Sequence, residues 1–474
     1  MSWQYKWCLE IKPAPAIIIL FGAGGDLARK KLFPAYAQLA AKGLWPEGSK
    51  IVCCARREWD DEDLRSYAGN AMGQPENKEI LSDMFFVPGD VNDPAFAVRL
   101  SEKITWLLQE WQGAVPPACI YHFALAPAQA LAAVKTLAVA NLLQETAAVP
   151  EIRTVFEKPF GFSGQEATEM DNILHSFLRE EQIYRTDHYL GKDTIRNILV
   201  TRFANRIFEP AWSGENIARI LICAPETADV SERSSYYDTS GCIRDMFQNH
   251  LLEMLALTAM DAPASPGLDS LLHSKIALLQ HVKIKKVSTA QYAGYTDHNG
   301  IPRDSHTETA ACVSLEIDTP RWRNTDFVLF SGKNMNTGNT CIKVIFRSPQ
   351  ISIFPLVKAE DFAGNILTID IQPEERMSLA MQVKRPGPNL CMGTAEMSFA
   401  FPANDNVPEL GAYARLLTEA MLGDRSTFVS GEMIQAGWRI FDPVLAELRQ
   451  SGRKPQIYQP GAAPEDVFSQ LIID

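Results

Sequence analysis

A predicted strand that runs directly into a glycine turn limits the folds that this chain can adopt. The strand is the apolar run 16–21, and the turn is Gly22-Ala23-Gly24-Gly25-Asp26-Leu27. A helical stretch rich in Ala, Leu and Lys follows to about Lys42, with an early break at Pro34. Glycines let a backbone approach a pyrophosphate, and the first N–H groups of a helix can bind it. Leu27 replaces the third glycine of the dinucleotide motif, so a plain strand-to-helix turn remains an alternative.

The first 186 residues alternate between apolar strands and helical segments. After the first strand, further strands are predicted at 50–55, 84–87, 120–125 and 153–159. The Ala- and Leu-rich segment 128–147 is predicted to be a helix. This alternation indicates an α/β fold, a Rossmann-like doubly wound parallel sheet, whose ligands bind at the carboxyl ends of the strands. We therefore predict a nucleotide-binding domain over residues 1–186.

Two adjacent arginines, Arg56 and Arg57, follow the second predicted strand. Enzymes that use NAD usually place an acidic residue there, whereas an arginine accommodates the 2′-phosphate of NADP. The pair therefore favours NADP, although the nearby Glu58, Asp60 and Asp61 could neutralise two solvated arginines. The residues predicted to contact the nucleotide are Gly22, Gly24, Gly25, Asp26, Leu27, Arg56 and Arg57.

The second half of the chain is dominated by strands with alternating polarity. These strands are predicted at 217–223, 311–317, 326–331, 342–346 and 366–371. Helices are predicted at 242–259, 267–277 and 409–422. Residues 187–474 are therefore expected to form an α+β domain with a large, mainly antiparallel sheet covered by helices. An exposed face of such a sheet favours a homodimer or a dimer of dimers.

Size and charge restrict the partners of the chain. It has 474 residues, of which 46% are hydrophobic, which suits two domains better than one. The formal net charge of −12 argues against nucleic acid or an anionic membrane surface as a partner. An anionic substrate would therefore need a local cluster of cations.

The cysteines and the apolar runs point to a cytoplasmic protein without a metal site. No two of the nine cysteines have CxxC spacing, so neither a zinc site nor a redox pair is predicted. Scattered cysteines of odd number suggest reduced thiols. The apolar run 17–21 is too short to cross a bilayer, and the residues before it lack the layout of a signal peptide.

The run Arg185-Thr186-Asp187-His188-Tyr189-Leu190-Gly191-Lys192 concentrates charged and hydrogen-bonding groups in eight residues. A core strand would not hold so many charges, because an unpaired buried charge is costly. The run is therefore either a pocket for an anionic ligand or an ion-paired structural turn.

His250 lies in a predicted helix on the same face as the apolar Ile243, Phe247 and Met254. Such a histidine is most often a core residue. Facing a pocket and oriented by a carboxylate, it would instead be a general base. The neighbouring Asp245 and Asn249 favour a polar pocket wall.

Taken together, these segments resemble glucose-6-phosphate dehydrogenases over essentially the whole chain. The matching blocks are Gly22-Ala23-x-Gly25-Asp26-Leu27-Ala28, Glu157-Lys158-Pro159-Phe160-Gly161, Asp187-His188-Tyr189-Leu190-Gly191-Lys192, Arg202-Phe203-Ala204-Asn205, Arg244-Asp245-Met246-x-Gln248-Asn249-His250-Leu251-Leu252, Ser331-Gly332-Lys333, Gln372-Pro373 and Trp438-Arg439-x-x-Asp442-Pro443. The resemblance implies NADP-dependent oxidation of the C1 hydroxyl of glucose 6-phosphate to a lactone, the first oxidative step of the pentose phosphate pathway.

The resemblance also implies roles for individual residues. His250 is expected to take the proton of the C1 hydroxyl, and Asp187 to orient that histidine. Lys158, before a cis Pro159, is expected to lie between cofactor and sugar. The expected phosphate ligands are His188, Tyr189, Lys192 and Lys333. The expected ligands of the sugar hydroxyls are Glu226, Asp245 and Gln372.

Some positions depart from the family pattern. Gly24 stands where the family has Ser or Thr, Ala126 where it has Pro, and Asn334 and Asp370 where it has Arg. Gly461-Ala462-Ala463-Pro464 lacks the usual tryptophan. The loss of the cations at residues 334 and 370 puts a second, structural NADP in doubt. Two alternatives remain open, of which the departures motivate the first. One is a specialised paralogue that acts on a modified sugar phosphate or prefers NAD, and the other is a non-catalytic subunit that binds NADP or sugar phosphate.

Overall fold

The computed structural model describes residues 12–73, 78–113, 115–187, 189–231, 234–354, 358–388, 391–400 and 410–471. These residues form two compact units. Within the described ranges, the first unit comprises 12–161, 165–191 and 410–431, and the second unit comprises 162–164, 192–400 and 432–471.

A seven-stranded sheet forms the centre of the first unit. Its strands are β1 (Ala16–Phe21), β2 (Lys50–Ala55), β3 (Met84–Pro88), β4 (Ala118–Phe123), β5 (Ile152–Phe156), β6 (Ile183–Thr186) and β15 (Phe428–Val429). The order is β15-β6-β5-β4-β1-β2-β3, and every neighbouring pair is parallel except β15 with β6. The first six strands thus have the order typical of dinucleotide-binding sheets, which confirms the predicted Rossmann-like fold.

Helices accompany this sheet. They are α1 (Phe33–Ala41), α2 (Asp61–Met72), α3 (Lys78–Ser82), α4 (Pro94–Gln109), α5 (Pro127–Val139), α6 (Gly164–His175) and α11 (Ala412–Leu422), with a π-helix at Ala28–Leu32 and a 3-10 helix at Glu180–Gln182. Alternate residues of β1 pack into opposite cores: Ile18 lies in a cluster with Phe33, and Ile19 in a cluster with Leu100. Two buried faces explain why this strand reads as a continuous apolar run.

The predicted break at Pro34 takes the form of a π-helix. Proline has no N–H group, and its ring clashes with the preceding helical turn. In the structure Ala28–Leu32 is wound as a π-helix, and Pro34 lies at the start of α1. The helical segment therefore continues through the proline to Ala41.

A nine-stranded sheet forms the centre of the second unit. Its strands are β7 (Ile217–Pro225), β8 (Val282–Tyr292), β9 (Ala310–Ile317), β10 (Asp326–Gly332), β11 (Thr340–Phe346), β12 (Ile366–Gln372), β13 (Arg376–Lys384), β14 (Met392–Ala400) and β16 (Gln456–Tyr458). The order is β14-β13-β12-β11-β7-β10-β9-β8-β16. Only the pairs β7–β10 and β8–β16 among these strands are parallel, so the predicted mainly antiparallel sheet is confirmed.

The helices of the second unit include several short 3-10 turns. The α-helices are α7 (Asp193–Ala204), α8 (Ser234–Cys242), α9 (Leu252–Ala259), α10 (Leu268–Leu279), α12 (Gly431–Ser451) and α13 (Pro464–Val467), and a π-helix covers Ile243–Leu251. The 3-10 turns are Glu209–Ala211, Tyr295–Asp297, Pro320–Trp322, Ala359–Asp361 and Ser469–Leu471. Among the described helices, none has both the length and the apolar composition that a membrane span requires.

Residues 410–431 correct the predicted division into 1–186 and 187–474. This segment lies within the expected C-terminal domain but belongs to the first unit. The apolar side chains of α11, including Leu416 and Leu417, join the core beside β1, and β15 extends the first sheet. The Gly411 N–H also donates to Gln38 Oε1 at 3.0 Å. These contacts link residues far apart in sequence, which local patterning does not reveal.

Candidate active site

The first unit contains a cavity of about 390 Å³ at the carboxyl ends of β1 to β4. Gly22, Gly24, Gly25, Arg56 and Arg57 line it, five of the residues predicted to contact a nucleotide. Gly22 has a φ of 79°, and a Cβ there would lie 2.3 Å from the carbonyl oxygen of Ala124. Only glycine fits this turn. The strand order reverses between β1 and β4, where doubly wound sheets bind their ligands.

Asp26 and Leu27, also predicted at the nucleotide, are not among the residues that line this cavity. Asp26 forms ion pairs with Arg29 at 3.2 Å and Lys30 at 3.4 Å. Hydrogen bonds from these two cations lower the pKa of the Asp26 carboxyl. Asp26 is thus engaged along its own helical segment.

The two arginines differ in how firmly they are held. Arg57 Nη2 donates to the Gly24 carbonyl oxygen at 3.2 Å, and its guanidinium lies 4.8 Å from the centre of the Trp59 ring. Arg56 has a single ion pair among the described residues, with Asp90 at 4.0 Å. A Cβ on Gly24 would lie 2.7 Å from Arg57 Nε, so Arg57 occupies space that a side chain at residue 24 would need.

Two of the acidic residues near the arginines are engaged elsewhere. The Asp60 carboxylate accepts the N–H groups of Glu62 and Asp63 and so caps α2. Asp61 accepts the Phe86 N–H at 2.6 Å and pairs with Arg65 at 3.8 Å. Neither carboxylate neutralises Arg56 or Arg57, which weakens the reading of a solvated, neutralised arginine pair.

The segment that carries Lys158 is held by the residue before it. Glu157 Oε1 lies 2.9 Å from His122 Nε2, and Glu157 Oε2 accepts from Thr186 Oγ1 at 2.9 Å. The Lys158–Pro159 peptide bond is cis, as the resemblance implied. Neither His122 nor Thr186 was given a role from the sequence. His122 is a lone polar residue in an apolar strand, and Thr186 lies in the run 185–192 beside more strongly charged residues.

The run 185–192 divides between structural and site residues. Arg185 is 2% exposed and forms ion pairs with Asp171 and, at 2.9 Å, with Glu180. Of the two alternatives for this run, Arg185 therefore fits the ion-paired structural turn. Asp187 is equally buried, and its Oδ1 accepts the Tyr189 N–H at 2.9 Å. His188 lies outside the described residues.

In the second unit, His250 and Asp245 lie on the π-helix Ile243–Leu251, and His250 is 2% exposed. A single helix was predicted over 242–259. In the structure its first half, Ile243–Leu251, is a π-helix, and its second half, Leu252–Ala259, is α-helical. The i→i+5 hydrogen bonding of the π-helix changes which residues share a face. The sequence of residues 243–251 does not distinguish a π-helix from an α-helix. Single π-turns occur frequently at functional sites.

Lys333 and Glu226 meet where two parallel strands end. Gly332 of β10 pairs with Pro225 of β7, and the next residues form an ion pair with Lys333 Nζ 2.5 Å from Glu226 Oε2. The ammonium also lies 5.5 Å from the centre of the Tyr237 ring. Burial raises the pKa of Tyr237, and the nearby carboxylates of Asp245 and Glu226 raise it further. The second unit thus brings Glu226 and Lys333 together, and the charge of Asp245 acts on the same tyrosine.

Lys192 and Gln372 form a second pair in the same unit. Lys192 Nζ donates to Gln372 Oε1, and Gln372 Nε2 donates to Thr340 Oγ1 at 3.0 Å. Asp370, one of the departures from the family pattern, pairs with Arg376 Nε at 3.1 Å. A cation thus remains near residue 370, on a neighbouring strand.

Comparisons with known proteins identify one family over nearly the whole chain. The family model "Glucose-6-phosphate dehydrogenase, NAD binding domain" matches residues 19–197, and "Glucose-6-phosphate dehydrogenase, C-terminal domain" matches 199–472. The chain is 32% identical to glucose-6-phosphate 1-dehydrogenase 2 of Mycobacterium tuberculosis, over 96% of this chain and 93% of that protein. It is also 32% identical to the Bacillus subtilis glucose-6-phosphate 1-dehydrogenase, over 97% of both.

Solved structures extend the comparison. A glucose-6-phosphate dehydrogenase in complex with its substrate glucose 6-phosphate has a TM-score of 0.89 and 30% identity, with 98% of both chains covered. The glucose-6-phosphate 1-dehydrogenase of Mycobacterium avium has a TM-score of 0.83 and 27% identity, with 96% of this chain and 97% of that chain covered.

Proposed function

The chain belongs to the glucose-6-phosphate dehydrogenase family, and we propose that it carries out the reaction for which the family is named. It oxidises the C1 hydroxyl of glucose 6-phosphate to 6-phosphoglucono-1,5-lactone and transfers hydride to NADP, the first oxidative step of the pentose phosphate pathway. The observation that carries this function is the match of both family domains, which together cover residues 19–197 and 199–472.

The cavity of the first unit fits a dinucleotide. Gly22 and Gly25 keep the backbone open at the carboxyl end of β1, where a pyrophosphate would approach the helix N-terminus. Arg56 and Arg57 supply the positive charge that a 2′-phosphate requires. Bound there, NADP supplies the hydride acceptor.

We propose His250 as the base that takes the proton from the C1 hydroxyl and Asp187 as the carboxylate that orients it. His250 is 2% exposed, so its imidazole is screened from bulk water. A histidine suits this task because its pKa lies near neutral pH. Loss of the hydroxyl proton makes the C1 hydrogen a better hydride donor, since the developing carbonyl can then form.

The cations and carboxylates of the site are proposed to bind the sugar phosphate. An ion pair with Glu226 holds Lys333, and a hydrogen bond to Gln372 holds Lys192, so both ammonium groups are oriented before substrate binds. We propose Lys192, Lys333, His188 and Tyr189 as the phosphate ligands, and Lys158 as a residue between cofactor and sugar. The residues proposed to bind the hydroxyls are Glu226, Asp245 and Gln372.

Formation of NADPH from glucose 6-phosphate, followed by its absorbance at 340 nm, tests the function. Absence of NADPH with every hexose 6-phosphate would contradict it. The departures at Gly24, Asn334 and Asp370 motivate a second candidate, a paralogue for a modified sugar phosphate or for NAD. A panel of sugar phosphates with both cofactors separates the two, because kcat/KM should be highest with glucose 6-phosphate and NADP.

Replacing Arg57 by alanine should lower kcat/KM for NADP by about 10- to 100-fold, since a hydrogen bond to a charged group contributes about 1.5–3 kcal/mol. Arg57 is the firmer of the two arginines, because it bonds to Gly24 and stacks on Trp59. The kcat/KM for NAD should change less than twofold. Titration of the protein with 2′,5′-ADP measures the same loss without turnover.

Two further variants control this experiment. Arg65→Ala removes an arginine of α2 that does not line the cavity, and it should leave both cofactors unaffected. Arg56→Ala should have the smaller effect on NADP. A large loss in Arg56→Ala with none in Arg57→Ala would reverse the assignment.

We also propose that the chain forms a homodimer or a dimer of dimers in the cytoplasm. The outer strands β13 and β14 support this, since Val383 and Met397 are 42% and 61% exposed on one face of the sheet. Two exposed apolar side chains on one face suit a contact between copies. Light scattering should give a mass of at least twice the 52.7 kDa of one chain, and a monomer at micromolar concentration would contradict the proposal.

A further inference from the structure

The helix that carries Asp245 and His250 begins at a sharp turn. Gly241 has a φ of 66° and a ψ of 176°, so α8 is interrupted there and a new helical segment starts at Cys242. The first N–H groups of a helix have no partner within the helix. Two of these N–H groups are bound by one residue, Glu308. The Cys242 N–H donates to the Glu308 carbonyl oxygen at 3.0 Å, and the Ile243 N–H donates to Glu308 Oε1 at 3.0 Å.

Glu308 fits this position closely. Its side chain and backbone together are only 9% exposed, and a Cβ on Gly241 would lie 2.5 Å from Oε1 and 2.9 Å from Cδ. Residue 241 must therefore be glycine, because of both its φ and the adjacent carboxylate. Burial raises the pKa of Glu308, whereas its hydrogen bond from Ile243 lowers it. The positive end of the helix dipole also favours a carboxylate here.

The same short segment fixes the backbone of Lys333. The Lys333 N–H donates to the carbonyl oxygen of Thr309 at 2.9 Å, and Gly332 pairs with Ala310 in the sheet. Cys242 Sγ lies 3.4 Å from the Ser331 carbonyl oxygen, which links the start of the helix to the end of β10. Residues 308–309 therefore hold both the helix that carries His250 and the turn that carries Lys333.

We propose that Glu308 is a positioning residue for the dehydrogenase reaction: it caps the helix of the base and ties that helix to the turn of the phosphate-binding lysine. This inference rests on the proposed function, in which His250 and Lys333 act on the sugar phosphate. Small displacements of a reacting group slow catalysis strongly, by about 100-fold for 1 Å. Loss of the cap should therefore lower kcat while the fold remains.

The test compares Glu308→Ala with Glu308→Gln in the full chain. Glu308→Ala should lower kcat at least about tenfold, while the Kd for NADP, measured by fluorescence titration, changes less than twofold. Glu308→Gln should keep kcat within threefold of the wild type, because the amide oxygen still accepts the Ile243 N–H. Glu316→Ala is the matched control, since Glu316 is an exposed carboxylate on the same stretch of chain, in β9.

A second measurement reports the chemical step itself. With glucose 6-phosphate deuterated at C1, the isotope effect on kcat should rise in Glu308→Ala, because hydride transfer becomes more rate-limiting. A purely structural loss would reduce the amount of folded enzyme without changing the isotope effect.

Three outcomes would overturn the inference. They are a kcat of Glu308→Ala within twofold of the wild type, a loss that matches the unfolded fraction seen by circular dichroism, and a Glu308→Gln variant as slow as Glu308→Ala. Inactivity of the wild-type chain on every hexose 6-phosphate is a separate result, which contradicts the proposed function and involves none of the variants.

Discussion

Replacing His250 by asparagine should lower kcat by about 100- to 10,000-fold, the range in which a general base contributes to catalysis. Asparagine is polar and similar in size, but it cannot take up a proton near neutral pH. His250 is 2% exposed, so water should not replace it efficiently as a base. The rate of NADPH formation at saturating substrate measures this loss.

Binding separates a lost base from a disturbed site. Glucose 6-phosphate should still bind to His250→Asn with a Kd within about threefold of the wild type, because the cations that hold its phosphate are unchanged. His273→Asn is the matched control, since His273 is exposed on α10 and should leave kcat unchanged. A His250→Asn variant with near-normal kcat would show that another group is the base.

Five of the nine strands described in the second sheet could be predicted, because at least one face of each of the five is buried. The predictions at 217–223, 311–317, 326–331, 342–346 and 366–371 differ from β7, β9, β10, β11 and β12 by at most two residues at either end. Their alternating polarity follows directly from the pleat. By contrast, β8, β13, β14 and β16 were not predicted. The last of them has only three residues. Strand β14 is at the sheet edge and β13 is next to it, and both alternate weakly, since Val383 and Met397 are exposed.

Contacts between residues far apart in the sequence could not be predicted. The periodicity of 409–422 predicts a helix, but it does not show that α11 packs beside β1, nearly 400 residues away in sequence. The role of Glu308 could not be predicted for the same reason. Its partners are the N–H groups of Cys242 and Ile243, and nothing in the residues around 308 indicates a contact with that helix.

The run 185–192 shows what the sequence alone can predict and what only the structure can show. The sequence alone left an ion-paired turn and an anion pocket as alternatives. Arg185 belongs to the first, since it pairs with Asp171 and Glu180, while Lys192, just before α7, donates to Gln372 at the end of β12. Composition shows that charges are concentrated, but only the fold shows which of them are already paired.

Replacing Lys333 by methionine should raise the KM for glucose 6-phosphate at least about 30-fold, since removing one partner of a desolvated charge pair costs about 2–5 kcal/mol. The change removes a cation proposed to bind the phosphate and leaves Glu226 without its counterion. The Lys333 side chain is 14% exposed and that of Glu226 is 29% exposed, so water screens this ion pair only in part. The repulsion between Glu226 and a phosphate then adds to the lost attraction.

Lys283→Met is the matched control for this experiment. Lys283 forms an ion pair of the same length, 2.5 Å, with Asp318, but the two side chains are 60% and 63% exposed. Exposed pairs contribute little because water and salt screen them, so the KM should change less than about twofold. The double variant Glu226→Gln with Lys333→Met should recover part of the loss, because it removes the uncompensated carboxylate that repels the phosphate. If Lys333→Met raises the KM no more than Lys283→Met does, the phosphate is held by other cations and Lys333 only supports Glu226.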